Sequence, residues 1–298
     1  MNSLGLTWKR TTADAIVPVG AGVYFVPIRG APLTARAAAL SNLLPGEAVI
    51  ARRTAAWIWG LDILPPGTDQ ADWNVDLITP DKSEPITAET AELNEEHITR
   101  KSGIRMTSLP RTALDCARWL PRYDAVAALD QFLRRGVSTD DLTTMSRTLP
   151  GYRGNKRLRE IIRLSDQGAA SPAESWTRMA LLTAGFPRPQ TQVPVMGPSG
   201  RWHYIDLGYP DHRVGLEYDG ERHHTGPRVR AHDTSRRTWL TKEMGWEILP
   251  ITKDFLYHPA PYLEALLTAL LHRGWNPKNT TMDHLATHLS RLNRSHGH

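Results

Sequence analysis

Cysteine is nearly absent: Cys116 is the only one in 298 residues. An internal disulfide needs two and a multi-cysteine zinc site needs more than one, so both are excluded, and a reducing cytoplasm is the expected compartment. Long apolar runs are missing as well. The weakly apolar stretch 14–29 is interrupted by Asp14, Pro18 and Pro27, so it does not read as a signal peptide. Nothing approaches the ~20 apolar residues of a membrane span, and no membrane partner is expected. Asparagine is missing between Asn155 and Asn276. That removes the middle residue of a His-Asn-His nuclease motif from that stretch. No internal repeat is visible.

What is present is ordinary in amount and uneven in place. The chain is 40% hydrophobic and 22% charged, which places it among soluble globular proteins, and its length favours two domains over one small core. The formal charge is +5 with a pI of about 9.4. So small a surplus does not identify a nucleic-acid partner, and its distribution matters more. One basic cluster comprises Arg153, Lys156, Arg157 and Arg159, and reads as a solvated helix or loop face. A second comprises Arg222, Arg228, Arg230, Arg236 and Arg237. It lies beside a group of carboxylates, where an approaching polyanion needs compensating positive charge.

The first half reads as mainly helical with short strands. A run rich in Ala and Leu predicts a helix from Leu33 to Leu43, stopped at Leu44-Pro45-Gly46. A second helix is expected from about Ala51 to Gly60. The pair is compatible with a helix-turn-helix, whose second helix enters a major groove. Trp57, Ile58 and Trp59 make that helix mostly apolar and favour a buried packing role. Strands are expected at 73–79 and 104–109, and helices from Pro110 to about Trp119, over 123–135 and over 140–148. Asp115 and Asp130 read as capping or surface groups. The basic segment 151–162 leads to Ser165-Asp166-Gln167-Gly168, the best linker candidate, so domains are expected at 1–165 and 166–275, with a polar, loosely held tail at 276–298.

The second half carries the chemistry. Ser171-Pro172-Ala173-Glu174 opens a helix to about Ala184, with Ser at the cap, Pro at the first position and an acid in the first turn. On local grounds Glu174 is equally well a capping-box acid. Gln192 to Val195 is a strand. Two alternating runs, 204–208 and 213–219, then meet at Pro210-Asp211. The period of two sets Ile205 and Leu207 against Asp206, and Val214, Leu216 and Tyr218 against Glu217 and Asp219. A hairpin of these strands brings Asp206 and the Glu217/Asp219 pair together. Converging carboxylates repel one another unless a proton or cation intervenes, and hard divalent ions take such oxygen ligands. The plain alternative is a solvated hairpin with an acidic outer face. A helix at 229–244, a strand at 246–251 and a helix at 261–272 complete an α/β mixed sheet covered by helices.

The string SPAES, DLGYP, GLEYDGERHH, HDTSRR and LTKEMGWEILPIT, over about residues 170–272, resembles the very-short-patch-repair-like branch of the PD-(D/E)xK restriction-endonuclease-like superfamily. The resemblance implies a helix acid at Glu174, a metal-binding Asp206 and a second acid at Glu217. It also implies a histidine after the strand at His223, and an Asp and Arg on the next helix at Asp233 with Arg236 or Arg237. Asp219 stands where the superfamily places a lysine. Related members put the base on a histidine instead, so His223 takes that role, with His224 an equal competitor. VIARRTAAWIWGL and TSLPRTALDCA more loosely resemble an AbiEi-like antitoxin region, which implies a regulatory or DNA-binding N-terminal domain.

The expected activity is magnesium- or manganese-dependent hydrolysis of DNA phosphodiesters, in repair or phage defence. Asp206, Glu217 and Glu174 would hold the metal, Glu174 directly or through water. The five arginines would grip phosphate, and a homodimer or a regulatory protein stays open as partner. The rival expectation is a DNA-binding regulator with an inactive nuclease fold.

Overall fold

The structure is a computed structural model that describes residues 17–20, 23–25, 32–43, 49–64, 68–78, 93–148, 154–219 and 227–294. It is mixed α/β. By packing, residues 1–115 and 142–153 form one unit, and residues 116–141 and 154–298 the other. No helix among the described residues is long and apolar enough to cross a membrane.

The first unit opens with a two-stranded antiparallel pair, β1 (Val17–Gly20) and β2 (Val23–Phe25). It continues with α1 (Leu33–Leu43), β3 (Val49–Ile50), α2 (Arg52–Ile58), β4 (Leu77–Ile78), β5 (Ile98–Lys101) and β6 (Ile104–Thr107). These strands form a mixed sheet in the order β4-β3-β6-β5, with β3 and β6 parallel. β3 separates α1 from α2, so the two helices are not a helix-turn-helix. α2 is the buried packing helix: Arg53, Thr54, Ala55 and Ala56 are all buried. Arg53 donates to the Ile63 carbonyl at 2.8 Å, and its guanidinium lies over the Trp73 ring. Residue Ala51 gives α2 no side-chain cap. Asp76 supplies one by accepting from the Thr54 N–H at 3.2 Å, a carboxylate at a helix N-terminus.

The chain then forms α3 (Leu109–Trp119), α4 (Arg122–Arg134), α5 (Thr139–Thr148), α6 (Asn155–Leu164) and α7 (Pro172–Ala184). Strands β7 (Gln190–Met196), β8 (Trp202–Tyr209) and β9 (Val214–Tyr218) follow, then α8 (Pro227–Lys242), β10 (Glu247–Ile251), α9 (Lys253–Tyr257), α10 (Ala260–His272) and α11 (Asn279–Arg294). The sheet order is β10-β9-β8-β7. β7, β8 and β9 are antiparallel, and β10 returns parallel to β9 through α8. A crossover helix is what a parallel return requires. Neighbouring residues of β10 point to opposite faces. Leu249 joins the core of α7, α10 and α11, whereas Ile248 joins Leu240 and Trp239 of α8. At β10 the sheet is therefore covered on both sides. Gly215 permits this closeness, since a Cβ there would stand 2.6 Å from Ile205 Cγ2.

The basic segment 151–162 agrees with its helix-face reading: most of it is α6, which buries Leu158 and Ile161 and leaves Lys156 and Arg159 exposed. Two expectations change. The segment 276–298 is not a loose tail: α11 occupies most of it and buries Leu285 and Leu289. Asp115 and Asp130 are not surface groups. Asp115 pairs with Arg111 at 2.9 Å inside the first unit.

Asp130, fully buried on α4, pairs with the equally buried Arg178 of α7 at 2.5 Å. Its carboxylate also accepts from the Ser175 hydroxyl and from the Asp166 N–H, both at 2.6 Å. Burial pushes the Asp130 carboxyl up, and Arg178 and these donors pull against that. The 165–168 segment is thereby fastened to α4 and α7, with Asp166 Oδ1 also accepting from Gly168 and Thr191. The helical period does not reveal this pair, because α7 is buried nearly all round and carries Arg178 inward. Removing one member of a buried pair leaves the other uncompensated. Asp130→Ala is expected to lower unfolding stability by about 3–5 kcal/mol, read by denaturant titration; a loss under ~1 kcal/mol would mean that the pair is solvated in solution.

Candidate functional site

Five elements of the second unit, α7, β7, β8, β9 and α8, converge on one group of side chains. Ser171 caps α7 by accepting from the Glu174 N–H, and Pro172 takes the first helical position. Glu174 answers in turn, one residue short of a strict capping box: its Oε1 accepts from the Ser171 hydroxyl at 3.0 Å, and its Oε2 from the N–H of Ala170, just before the cap, at 2.8 Å. The capping reading of Glu174 therefore holds. It is not the whole role, because Oε2 also accepts from the Gln192 side-chain amide of β7 at 3.0 Å. Glu174 is only 6% exposed.

Gln192 sits where the sheet changes. The pairing of β7 with β8 is regular on either side and lapses at Gln192 and Asp206. Gln192 has φ 48°, a left-handed conformation uncommon outside glycine. The alternation of β8 fails at the same place. Ile205 packs with Val193, Val195 and Leu240, whereas Leu207 belongs to the core of α7 and α10. The sequence pattern places Ile205 and Leu207 on one face; they part at Asp206, where the ladder to the left-handed Gln192 lapses. Backbone strain of this kind gathers at functional sites. Gln192 carries no motif; its one sequence signal is a polar side chain inside a strand.

Asp206 Oδ2 accepts from the Tyr218 N–H of β9 at 2.8 Å. Glu217, on the same strand, is 4% exposed. The forked guanidinium of Arg236 on α8 grips it, with Nη1 at 3.1 Å from Oε2 and Nη2 at 2.7 Å from Oε1. The Oε1 contact is an ion pair whose alignment falls short of a hydrogen bond. Arg236 also donates to the Tyr204 carbonyl. Arg237 reaches Glu217 at 3.4 Å and Asp219 at 3.0 Å. Where the resemblance expects a lysine, Asp219 is thus bonded to an arginine of the next helix. Its N–H donates to Ile251 of β10 at 2.7 Å.

The electrostatics follow from burial and crowding. The Glu174 carboxyl is pushed up first by burial and then by the charge of Asp206. Burial likewise raises Asp206, with Glu217 adding to it, against the Tyr218 N–H, Arg236 and the Gln192 amide. The Arg237 guanidinium loses solvation by burial, yet its bonds to Asp219 and Glu217 raise it overall. Of the expected site residues, Glu174, Asp206, Glu217 and Asp219 come together with Arg236 and Arg237. His223, His224 and Arg222 lie outside the described residues, as do the side chains of Arg228, Arg230 and Asp233 on α8. Among the described residues, no three His, Cys, Asp or Glu side chains form a group able to hold a metal ion.

A carboxyl raised in the native state binds its proton more tightly folded than unfolded. Its ionisation therefore costs stability as pH rises from the ordinary carboxylate range through the raised native value. In metal-free buffer Asp206→Asn, which keeps the acceptor for Tyr218, is expected to melt about 2–4 °C above wild type near pH 7, the scale of ~1 kcal/mol in a chain of this size. The gap should close as the pH falls through the carboxylate range. Thermal melts across that range check it; a variant melting below wild type near pH 7 would mean that the carboxylates are not crowded.

No family model matches the chain, and no solved structure matches it. Two proteins of Mycobacterium tuberculosis do: "Uncharacterized protein MT2308" of strain CDC 1551 / Oshkosh and "Uncharacterized protein Rv2248" of strain ATCC 25618 / H37Rv. Each is 30% identical to this chain over 268 residues, 87% of this chain and 93% of its own length. At that identity over nearly the whole of both chains, the chain belongs to the family of these two mycobacterial proteins.

Proposed function

We propose that the second unit is a divalent-metal-dependent deoxyribonuclease of the restriction-endonuclease-like kind, in its very-short-patch-repair-like branch. The observation that carries this reading is the convergence of Glu174, Asp206 and Glu217 from α7, β8 and β9, with Glu174 and Asp206 each raised by burial first and by a neighbouring carboxylate in addition. The order of elements supports it: the acid-bearing helix α7, then strands with Asp206 on β8 and Glu217 on the next, β9, and the arginines on the helix that follows, α8. The mixed charge also suits a phosphodiester, because Arg236 and Arg237 stand beside the acids.

By type the donors suit a hard divalent cation, magnesium or manganese, because they are carboxylate oxygens; as they stand, no three of the described residues form a group that holds one, and Arg236 occupies Glu217. Asp206 and Glu217 would hold it, with Glu174 beside them. When bound, such an ion polarises a phosphoryl oxygen and acidifies a water. The protein's own groups do the rest. Gln192 and the Tyr218 N–H orient Glu174 and Asp206. Arg236 and Arg237, which now neutralise Glu217 and Asp219, meet the phosphate charge. His223, or its neighbour His224, exchanges the proton.

The test is cleavage of plasmid and single-stranded DNA with magnesium or manganese. Wild type should cut only with metal, and Asp206→Asn and Glu217→Gln should each lower the rate at least ~100-fold, the scale of a lost electrostatic group in a reaction centre. A wild type that binds DNA but is inert with both metals would overturn the enzyme reading in favour of a DNA-binding regulator. The Arg236–Glu217 fork is the observation that favours that second reading, since it occupies a carboxylate the metal would use.

A further inference from the structure

Beside the carboxylates the second unit exposes an apolar face that its own fold leaves uncovered. Along β8 the side chains alternate. His203 packs against Trp239 with ring centroids 5.5 Å apart, and Ile205 is fully buried. Trp202 and Tyr204, between and before them, are 53% and 48% exposed. Across the ladder Trp202 pairs with Met196, itself 45% exposed, and Tyr204 pairs with the exposed Pro194. A tryptophan, a tyrosine and their two cross-strand neighbours thus line one face of the β7–β8 pair. Tyr204 is two residues from Asp206, and its carbonyl accepts from the same Arg236 that holds Glu217.

We infer that this face is a stacking platform for unpaired bases, so that the site's substrate is DNA with a single-stranded stretch. The inference rests on the nuclease reading for what happens to the strand, and on the geometry alone for what binds. Flat rings on a sheet face stack any base, and they do so only when the base is released from its duplex partner. The charges suit a backbone running past them. Arg201 is exposed next to Trp202, and Arg236 donates to the backbone carbonyl of Tyr204. An apolar protein surface would need apolar neighbours at the rim. This rim carries Arg201 at one end and the Arg236–Glu217 pair near the other.

The experiment uses the full chain in EDTA, so that binding is read without cleavage. Fluorescence anisotropy measures affinity for a labelled oligothymidine and for a blunt duplex of equal length, and tryptophan quenching reports stacking. Trp202→Ala and Tyr204→Ala are each expected to weaken single-strand binding about 5- to 100-fold, the span of one lost base–ring stack. Duplex binding should change less than about 2-fold, and Trp202→Phe should restore most of the loss. Both rings are exposed, so the variants should keep the wild-type melting temperature. Equal losses on both DNAs, or none, would overturn the platform. So would a wild-type dimer, seen by sedimentation, that Trp202→Ala dissociates, because the face would then cover a second copy. Ring-dependent single-strand binding without metal-dependent cleavage would sink the nuclease reading and leave the platform standing; cleavage indifferent to both rings would do the reverse.

Discussion

Buried carboxylates that crowd one another have to be compensated, and the second unit is arranged around that constraint. Glu174, Asp206 and Glu217 lie against an apolar sandwich, where each charge loses its water and meets a like charge nearby. The protein answers with donors from four separate elements. The start of α7 and the Gln192 amide serve Glu174, the Tyr218 N–H serves Asp206, and the Arg236 fork from α8 serves Glu217. Two carboxyls remain raised despite this help. A site that keeps such a cost holds it for chemistry more often than for folding, since stability alone is better served by an apolar residue.

The scaffold behind the site makes the same exchange once more, to a different end. Asp130 and Arg178 are wholly buried, yet every neighbour of Asp130 is a donor, and the pair fastens α4 to α7 and to the chain leading into it. The N-terminus of α7 is where Glu174 sits. Fixing Ser175 and Arg178 therefore also fixes the first turns of the helix that presents the acid. The left-handed Gln192 does the corresponding work in the sheet. It gives up a regular ladder position, and its amide meets Glu174 there. Both devices trade local regularity for the placement of a charge.

The metal reading and the regulator reading differ in one contact. In the regulator reading Arg236 stays on Glu217, and the pair is a structural salt bridge. In the metal reading the guanidinium would have a phosphate to move to, and Glu217 would be left to hold the ion. Arginine's fork suits carboxylate and phosphate alike, which is why one residue serves either state.

Much of this was written locally. Ser171-Pro172 and Glu174 specified the start of α7, because a cap is a matter of a few adjacent residues. The alternating runs specified β8 and β9, and the single cysteine excluded disulfides and multi-cysteine zinc sites. Trp57 to Trp59 already pointed to a buried α2. What the sequence left hidden depends on residues far apart in the chain. The charges of Asp130 and Arg178 look like surface groups until the helices carrying them are packed. Gln192 looks like any strand residue until Asp206 lies opposite and Glu174 lies above, and α11 looks polar until Leu285 and Leu289 meet the core. Periodicity records which way a side chain points from its own backbone. Only the tertiary structure decides what it then meets, and it is that meeting which sets whether a charge is solvated, paired or crowded.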